Sequence, residues 1–517
     1  MPLTRRRFLA TSAAGAALAA ADPPAAAPLR AWAAGCGQIT DPSPEDHLLS
    51  RATFGATAAE RARVGTIGPA AWIDEQLAPE RIDDHDCDDA LAALPTLALS
   101  PAALKAHKDA THPVSSELTA ATLYRAVASR RQLYEVMVDH WSNQLNVFMP
   151  EEFIVRYKTV DDREVVRKHA LGSFRALVHA SAKSPVMMRY LNTATNTKNG
   201  PNENYARELM ELHTLGVGGG YTENDVKAVA KCFTGWNWNA DVVFEFRPAD
   251  HAPGDKVVLG TRIPSGGADE GEAVIDLLVD QPSCARHVAR RLVRRFVSDI
   301  PDEDLVAHVA GAFGRDGDIR AMLRTLFNAP AFWRATRAAD GGPAKIRRPF
   351  EHWVACQRAL EVDPGALIAE LPPDFYEGGD SVKYEGRAEA YLQQMDQMPF
   401  RWRAPDGYPD AGRPWSGMHV IVGRWNYAQA LCAGQLRNLP PYLYEQTVIR
   451  VADRTATNVV DDWATRILPR PLLAEDRARL VDFLGDGRTD ALDEATLRAR
   501  LPMTVAALLD SPYFSWR

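Results

Sequence analysis

The sequence predicts a mainly α-helical fold, one large multi-helix domain over residues 45–517 with a small β-hairpin insertion near 241–260. Three observations predict it. Apolar residues recur at helical spacing through most of the chain beyond residue 45. Helix starts and stops punctuate those stretches, as where Thr222 precedes Asp225 by three and Gly216 follows Leu215. Only 242–246 and 257–259 read as strands. On length alone 517 residues would hold two to four domains, but no repeat or long disordered linker divides them.

Taken in order, the chain opens MPLTRRRFLATSAAGAALAA. Thr4-Arg5-Arg6-Arg7-Phe8-Leu9 matches the twin-arginine export pattern, and an Ala-rich run follows. That run is too short to span a membrane. The expectation is a signal peptide over 1–33, a linker over 34–44, and a periplasmic or extracellular protein with no transmembrane segment after leader removal. Cleavage after Ala21 or after Ala33 fits the small-x-small rule. The formal net charge of −8 becomes −11 once four arginines and one aspartate leave with the leader, which argues against nucleic acid as a partner. Six cysteines, at 36, 87, 232, 284, 356 and 432, form no CxxC pair and read as isolated core residues.

Short helices broken by Gly55, Gly65 and Gly68 come next. The acidic run 83–89 reads as a solvated loop, and 99–117 as loop or linker. Residues 118–148 read as one long helix and 163–182 as a second, ended by Pro185. After the strands, the arginines of 283–296 form a basic face, with the following acidic run 299–304 as their natural ion-pair partners. Further helices are expected over 302–314, 317–328, 346–361, 384–396, 418–434, 457–468, 474–485 and 493–510.

The stretch 202–238, NENYARELMELHTLGVGGGYTENDVKAVAKCFTGWNW, packs polar, charged and aromatic side chains most densely. On its first helix Asn204, Glu208 and Glu211 share a face, with Arg207 beside them. Two carboxylates one turn apart act as acid and base when their surroundings separate their proton affinities; paired carboxylates on bundle helices also hold divalent cations. The competing reading is a buried salt-bridge cluster in which Arg207 neutralises one Glu and Asn202 caps the helix. Glu208, Glu211, Arg207 and His169 are the candidate catalytic residues. Asn202, Asn204, His213, Trp236, Asp406 and Tyr408 are the candidate substrate-binding residues. No metal ligand set is assigned, and the cofactor is left open, with a divalent metal compatible. Other chemistry lacks its motif: there is no HExxH, no phosphate loop, no GxGxxG and no GxSxG.

Several long motifs in order resemble the bacterial domain-of-unknown-function 1800 family: HLLSRATFG (47–55), WSNQLNVF (141–148), VVRKHALGSFRALV (165–178), the 202–238 block, AKIRRPFEHWVACQRAL (344–360), APDGYPDAGRPW (404–415), RWNYAQAL (424–431) and LLDSPYF (508–514). The resemblance implies a mostly helical secreted protein and no established reaction. It also implies an exported sulfatase-like protein as partner. The chain departs from the family pattern at Gln144, where the family has His, at Asn192, where it has Asp, and at Ala252, where it again has Asp. The resulting expectation is an exported hydrolase or lyase acting on an envelope or extracellular polymer through helix-borne carboxylates. The alternative is a non-catalytic periplasmic binding or assembly protein.

Overall fold

The computed structural model describes residues 39–107, 111–334, 345–369, 386–437, 439 and 441–517. The predicted leader, and with it Cys36, lies outside them. Helices carry the fold from Pro44–Ala52 to Pro512–Ser515, as the periodicity predicts. Many begin at a side-chain cap: Thr57 with Glu60 and Thr222 with Asp225 form reciprocal capping boxes, and Asp302, Asp318, Thr455 and Asp493 each accept from a first-turn amide. The C-terminal helices Met418–Cys432, Ala456–Ile467, Ala474–Gly485 and Glu494–Leu509 fall where expected. No described helix is long and apolar enough to cross a membrane.

Four expectations need correction. The predicted helix over 118–148 is two helices, Thr111–Ala128 and Gln132–Gln144. Remote residues satisfy the backbone at the break. Asp84 accepts from the Arg130 amide (2.9 Å) and the Ser129 hydroxyl (2.6 Å), and Gln76 accepts from the Leu133 amide (3.1 Å). The acidic run is therefore not a solvated loop throughout: Asp84 is buried and His85–Leu91 is helical. The predicted helix over 163–182 also breaks. Glu152–Asp161 continues through a π-helical turn, Asp162–Arg167, and a separate helix Phe174–Lys183 starts at the Ser173 cap. There the turn before Ile319 supplies the partners, with the Phe174 amide donating to the Gly317 carbonyl (2.8 Å). Finally, 99–117 is largely helical, in Pro101–Ala106 and the start of Thr111–Ala128.

The β insertion holds two antiparallel hairpins. β1 (Trp236–Trp238) pairs with β2 (Phe244–Phe246), and β3 (Lys256–Val258) with β4 (Thr261–Ile263). One contiguous cluster of buried apolar side chains runs from Ile39 to Trp516. The five described cysteines are buried and free. In the basic helix Pro282–Phe296, Arg286 and Arg290 pair with Glu303, whereas Arg295 turns inward to Glu351.

Candidate functional site

The 202–215 segment is a short helix, Asn204–Glu208, that runs into a second π-helical turn, Leu209–Thr214. The wider turn is visible in the Leu215 amide, which donates to the Met210 carbonyl five residues back (2.9 Å). Such turns concentrate at functional sites because they free a carbonyl and shift side chains off the helical register. Here the Leu212 carbonyl accepts from Gln144 Nε2 (2.5 Å) and from His287 (2.9 Å). Gly216 follows at φ +83°, and a Cβ there would meet His287 Nδ1 at 2.6 Å. Its lack of a side chain is what lets the two segments close.

Asn202 accepts from the Asn204 amide (3.0 Å), and Asn204 donates to Asn192 Oδ1 (3.1 Å). Asn192 itself is left-handed, φ 64°, a conformation that Asn tolerates. Arg207 does not neutralise the candidate carboxylates. It grips Glu223 (2.7 and 2.8 Å) and Glu203 (3.1 Å). Glu208 and Glu211 are half-buried, and among the described residues neither forms an ion pair. Burial raises the Glu208 carboxyl and the charge of Glu211 raises it further; Arg207 pulls the other way, and Asp406 adds a smaller push upward.

Asp406 reaches this face because its loop is clamped to the Gln132–Gln144 helix and the residues after it. Asn143 exchanges two hydrogen bonds with the Tyr408 backbone (2.8 and 2.6 Å). Asn146 donates to the Trp402 and Ala404 carbonyls (2.9 and 2.7 Å). Gly407, φ +71°, lies so close to the Asn143 carbonyl that a Cβ would sit 2.0 Å from it. Trp402 donates to Asp406 (2.8 Å), and the Tyr190 hydroxyl to the Arg403 carbonyl (2.6 Å). Burial, Asp406 and Glu208 push the Tyr190 phenol up to about 12. Tyr221 is raised by burial and by its neighbour Glu211. The face thus gathers three carboxylates with Trp402, Tyr190 and Tyr221.

The other predicted residues lie elsewhere. His169 is half-buried beside Lys168 and, among the described residues, makes no hydrogen bond or ion pair with 202–215. His213 is buried, and burial lowers its imidazole to about 3. Trp236, a candidate substrate-binding residue, has no exposed surface and packs against Phe233 and Phe244, so it offers no face to a ligand. Tyr408 lines a cleft with room for about 50 Å³, together with Asn143, Asn146, Glu135, Asp162 and Arg167. In that cleft Arg167 neutralises both carboxylates, bidentate to Glu135 (3.0 Å each) and bonded to Asp162 (2.8 Å). Among the described residues no three His, Cys, Asp or Glu side chains are gathered as a metal site. Sequence reasoning missed Tyr190, Tyr221, Asn143 and Asn146. The two asparagines near one helix end, in WSNQLNVF, were the available signal for the clamp.

Two departures from the family pattern acquire structural roles. Gln144 holds the Leu212 carbonyl. Ala252 lies against a closed buried cluster, its amide on Thr234 Oγ1 (2.8 Å) and its carbonyl on Lys256 (2.5 Å), where Lys256 and His251 both pair with Glu270 (2.6 and 2.9 Å).

No curated protein and no solved structure matches the chain. The family described as Protein of unknown function (DUF1800) matches residues 47–516. That span takes in both hairpins, both π-helical turns and the carboxylate face, and the chain belongs to this family.

Proposed function

We propose that the protein is an exported hydrolase or lyase that cleaves an envelope or extracellular polymer by general acid–base chemistry at Glu208, Glu211 and Asp406. One observation carries the reading: three partly accessible carboxylates share a face, no cation among the described residues pairs with Glu208 or Glu211, and burial together with the neighbouring carboxylates raises the Glu208 carboxyl. Carboxylates in unequal surroundings divide into acid and base. Glu208, protonated, donates to the leaving oxygen. Glu211 or Asp406, ionised, takes a proton from water in hydrolysis or from carbon in elimination. Trp402 supplies a ring against a sugar face.

The test is a reducing-end assay on a panel of polysaccharides, with Glu208→Gln alongside the wild type. The expected loss is at least about 100-fold, and wild-type activity should fall on the alkaline side as Glu208 ionises. Equal turnover by both proteins sinks the assignment. Export belongs to the same proposal. A reporter fused to residues 1–33 should leave the cytoplasm, and Arg5→Lys with Arg6→Lys should stop it.

A second reading, non-catalytic assembly with another exported protein, is favoured by one surface. Met418, Val422 and Trp425 recur at helical spacing on Met418–Cys432 and are 72, 39 and 38 % exposed. The sulfatase-like protein implied by the family resemblance is the partner to test. Binding abolished by Trp425→Asp, with no polymer turned over, would favour this reading over the first.

A further inference from the structure

Behind the Glu208 face lies a second set of groups that the acid–base reading does not use. Two helices line it. On Gln132–Gln144, residues His140 and Gln144 are one turn apart on one face; on Pro282–Phe296, His287, Arg291 and Arg295 share a face. The two faces are tied at both ends. At one end the Leu212 carbonyl accepts from Gln144 and His287. At the other, Arg295 Nη2 lies 3.4 Å from Asp139. His140 and Arg291 fall between these ties, and neither is satisfied by the described residues.

The groups left over are specific. His140 Nε2, His213 Nε2, Gln144 Oε1 and Asp410 Oδ1 are buried and make no hydrogen bond among the described residues. His140, His213 and Gln144 are 5, 1 and 3 % exposed. Arg291 makes no hydrogen bond or ion pair among the described residues, although Asp410 and Asp406 are its anionic neighbours. Asp410 is already surrounded by Lys345 (3.7 Å), Arg295 (3.7 Å) and Arg348 (3.8 Å). Buried polar atoms are rarely left unpaired, and several in one place ask for a partner.

We propose that His140, Gln144, His213, Arg291 and Asp410 together seat an oxyanion of the substrate and a neighbouring hydroxyl. The inventory of groups selects that chemistry. Arg291 offers a planar fork of donors matched to carboxylate, sulfate or phosphate, and a neutral imidazole adds one N–H. Gln144 Oε1 and Asp410 Oδ1 are acceptors and take hydroxyl protons. Gln144 is oriented because its amide nitrogen is committed to Leu212. A cation is disfavoured by Arg291 and by the surplus of positive charge around Asp410. An apolar ligand would leave every one of these atoms unpaired.

Asp406 is an anionic neighbour of both Glu208 and Arg291. The substrate is then a hydroxylated anionic polymer, with its acidic group against these residues and the scissile bond on the carboxylate face. Placing the oxyanion on a polymer rests on the proposed function; the seat itself does not.

The test is calorimetric titration of the full chain with glucuronate, glucose, sulfate and phosphate. Glucuronate is expected to bind at least about 10-fold more tightly than glucose, the loss of one set of charge-assisted bonds. Tighter binding of sulfate or phosphate than glucuronate identifies an ester-bearing polymer instead. Arg291→Gln should weaken the anion at least about 10-fold, while Arg294→Gln, off that face, should not. Should Arg291→Gln lose its cooperative melt, His140→Asn provides the same comparison. Equal binding of glucose and glucuronate, no binding of any anion, or wild-type affinity in both variants overturns the seat. Glu208→Gln separates the two proposals. Anion binding retained with turnover lost supports both. Turnover that depends on Glu208 without any anion bound leaves only the carboxylate site standing, and anion binding with no polymer cleaved leaves only the seat.

Discussion

The two π-helical turns, Asp162–Arg167 and Leu209–Thr214, are the same backbone device with opposite charge balance. Around the first, Arg167 lies between Glu135 and Asp162 and satisfies both. Their side chains are 11, 8 and 5 % exposed, so the triad is a closed structural lock. Around the second, the available arginine, Arg207, is drawn outward to Glu203 and Glu223, and Glu208 and Glu211 remain without a cation among the described residues. A distorted helix therefore does not by itself mark a site. What distinguishes the two is whether the acidic groups are neutralised, because an unpaired carboxylate keeps its lone pairs and its proton available to a ligand.

The comparison can be broken at several points. Arg167→Ala should do the greatest damage, because it strands two buried carboxylates. A loss of about 3–5 kcal/mol is expected in denaturant unfolding, and a loss below about 1 kcal/mol would mean that the first turn is no lock. The next effect is acid sensitivity at the second turn. His213 is held neutral, its folded value lowered to about 3 by burial, against an unfolded value near 6.5. Its contribution is complete above the unfolded value and is lost as pH falls toward the folded one. Melting between pH 7.5 and 5 should show a loss of roughly 1–2 kcal/mol from this group, removed in His213→Gln.

Glu208 has the opposite sign. It binds its proton more tightly folded than unfolded, so its favourable contribution is present at low pH and is lost as pH rises through the folded value. Glu208→Gln should therefore gain on the wild type at pH 7 and above, with the gap closing near pH 4. A variant less stable than wild type at neutral pH would show that Glu208 is a structural ion pair after all. Smallest of all is Arg207→Ala. Its ion pairs are partly exposed, and a change within about 0.5 kcal/mol is expected, with turnover altered less than about threefold. A collapse of activity would make Arg207 part of the chemistry.

Much of this was legible in the chain. Helix limits carried by local signals, such as the Thr222 capping box and the Gly216 stop, fall where the residues place them. Glu208 and Glu211 do lie near one another, although the π turn shifts the register of the residues beyond Glu208. The breaks at Ser129 and Gly172 were not legible, since Asp84, Gln76 and Gly317 supply their hydrogen bonds from far along the chain. Nor was the fate of Arg207: sequence spacing allows it Glu203, Glu208 or Glu211, and only the packing of the Glu223–Cys232 helix brings Glu223 within reach.

By itself, then, the sequence determined the helical class, the local caps and stops, the family and the carboxylate-bearing helix, because each depends on periodicity or on groups a few residues apart. Tertiary structure alone decided which charges are neutralised. It closed Arg167 on Glu135, left Glu208 and Glu211 without a cation among the described residues, and carried Asp406 to them on a loop clamped by Asn143 and Asn146. Charge balance is a property of distances in space, and residues hundreds of positions apart set those distances.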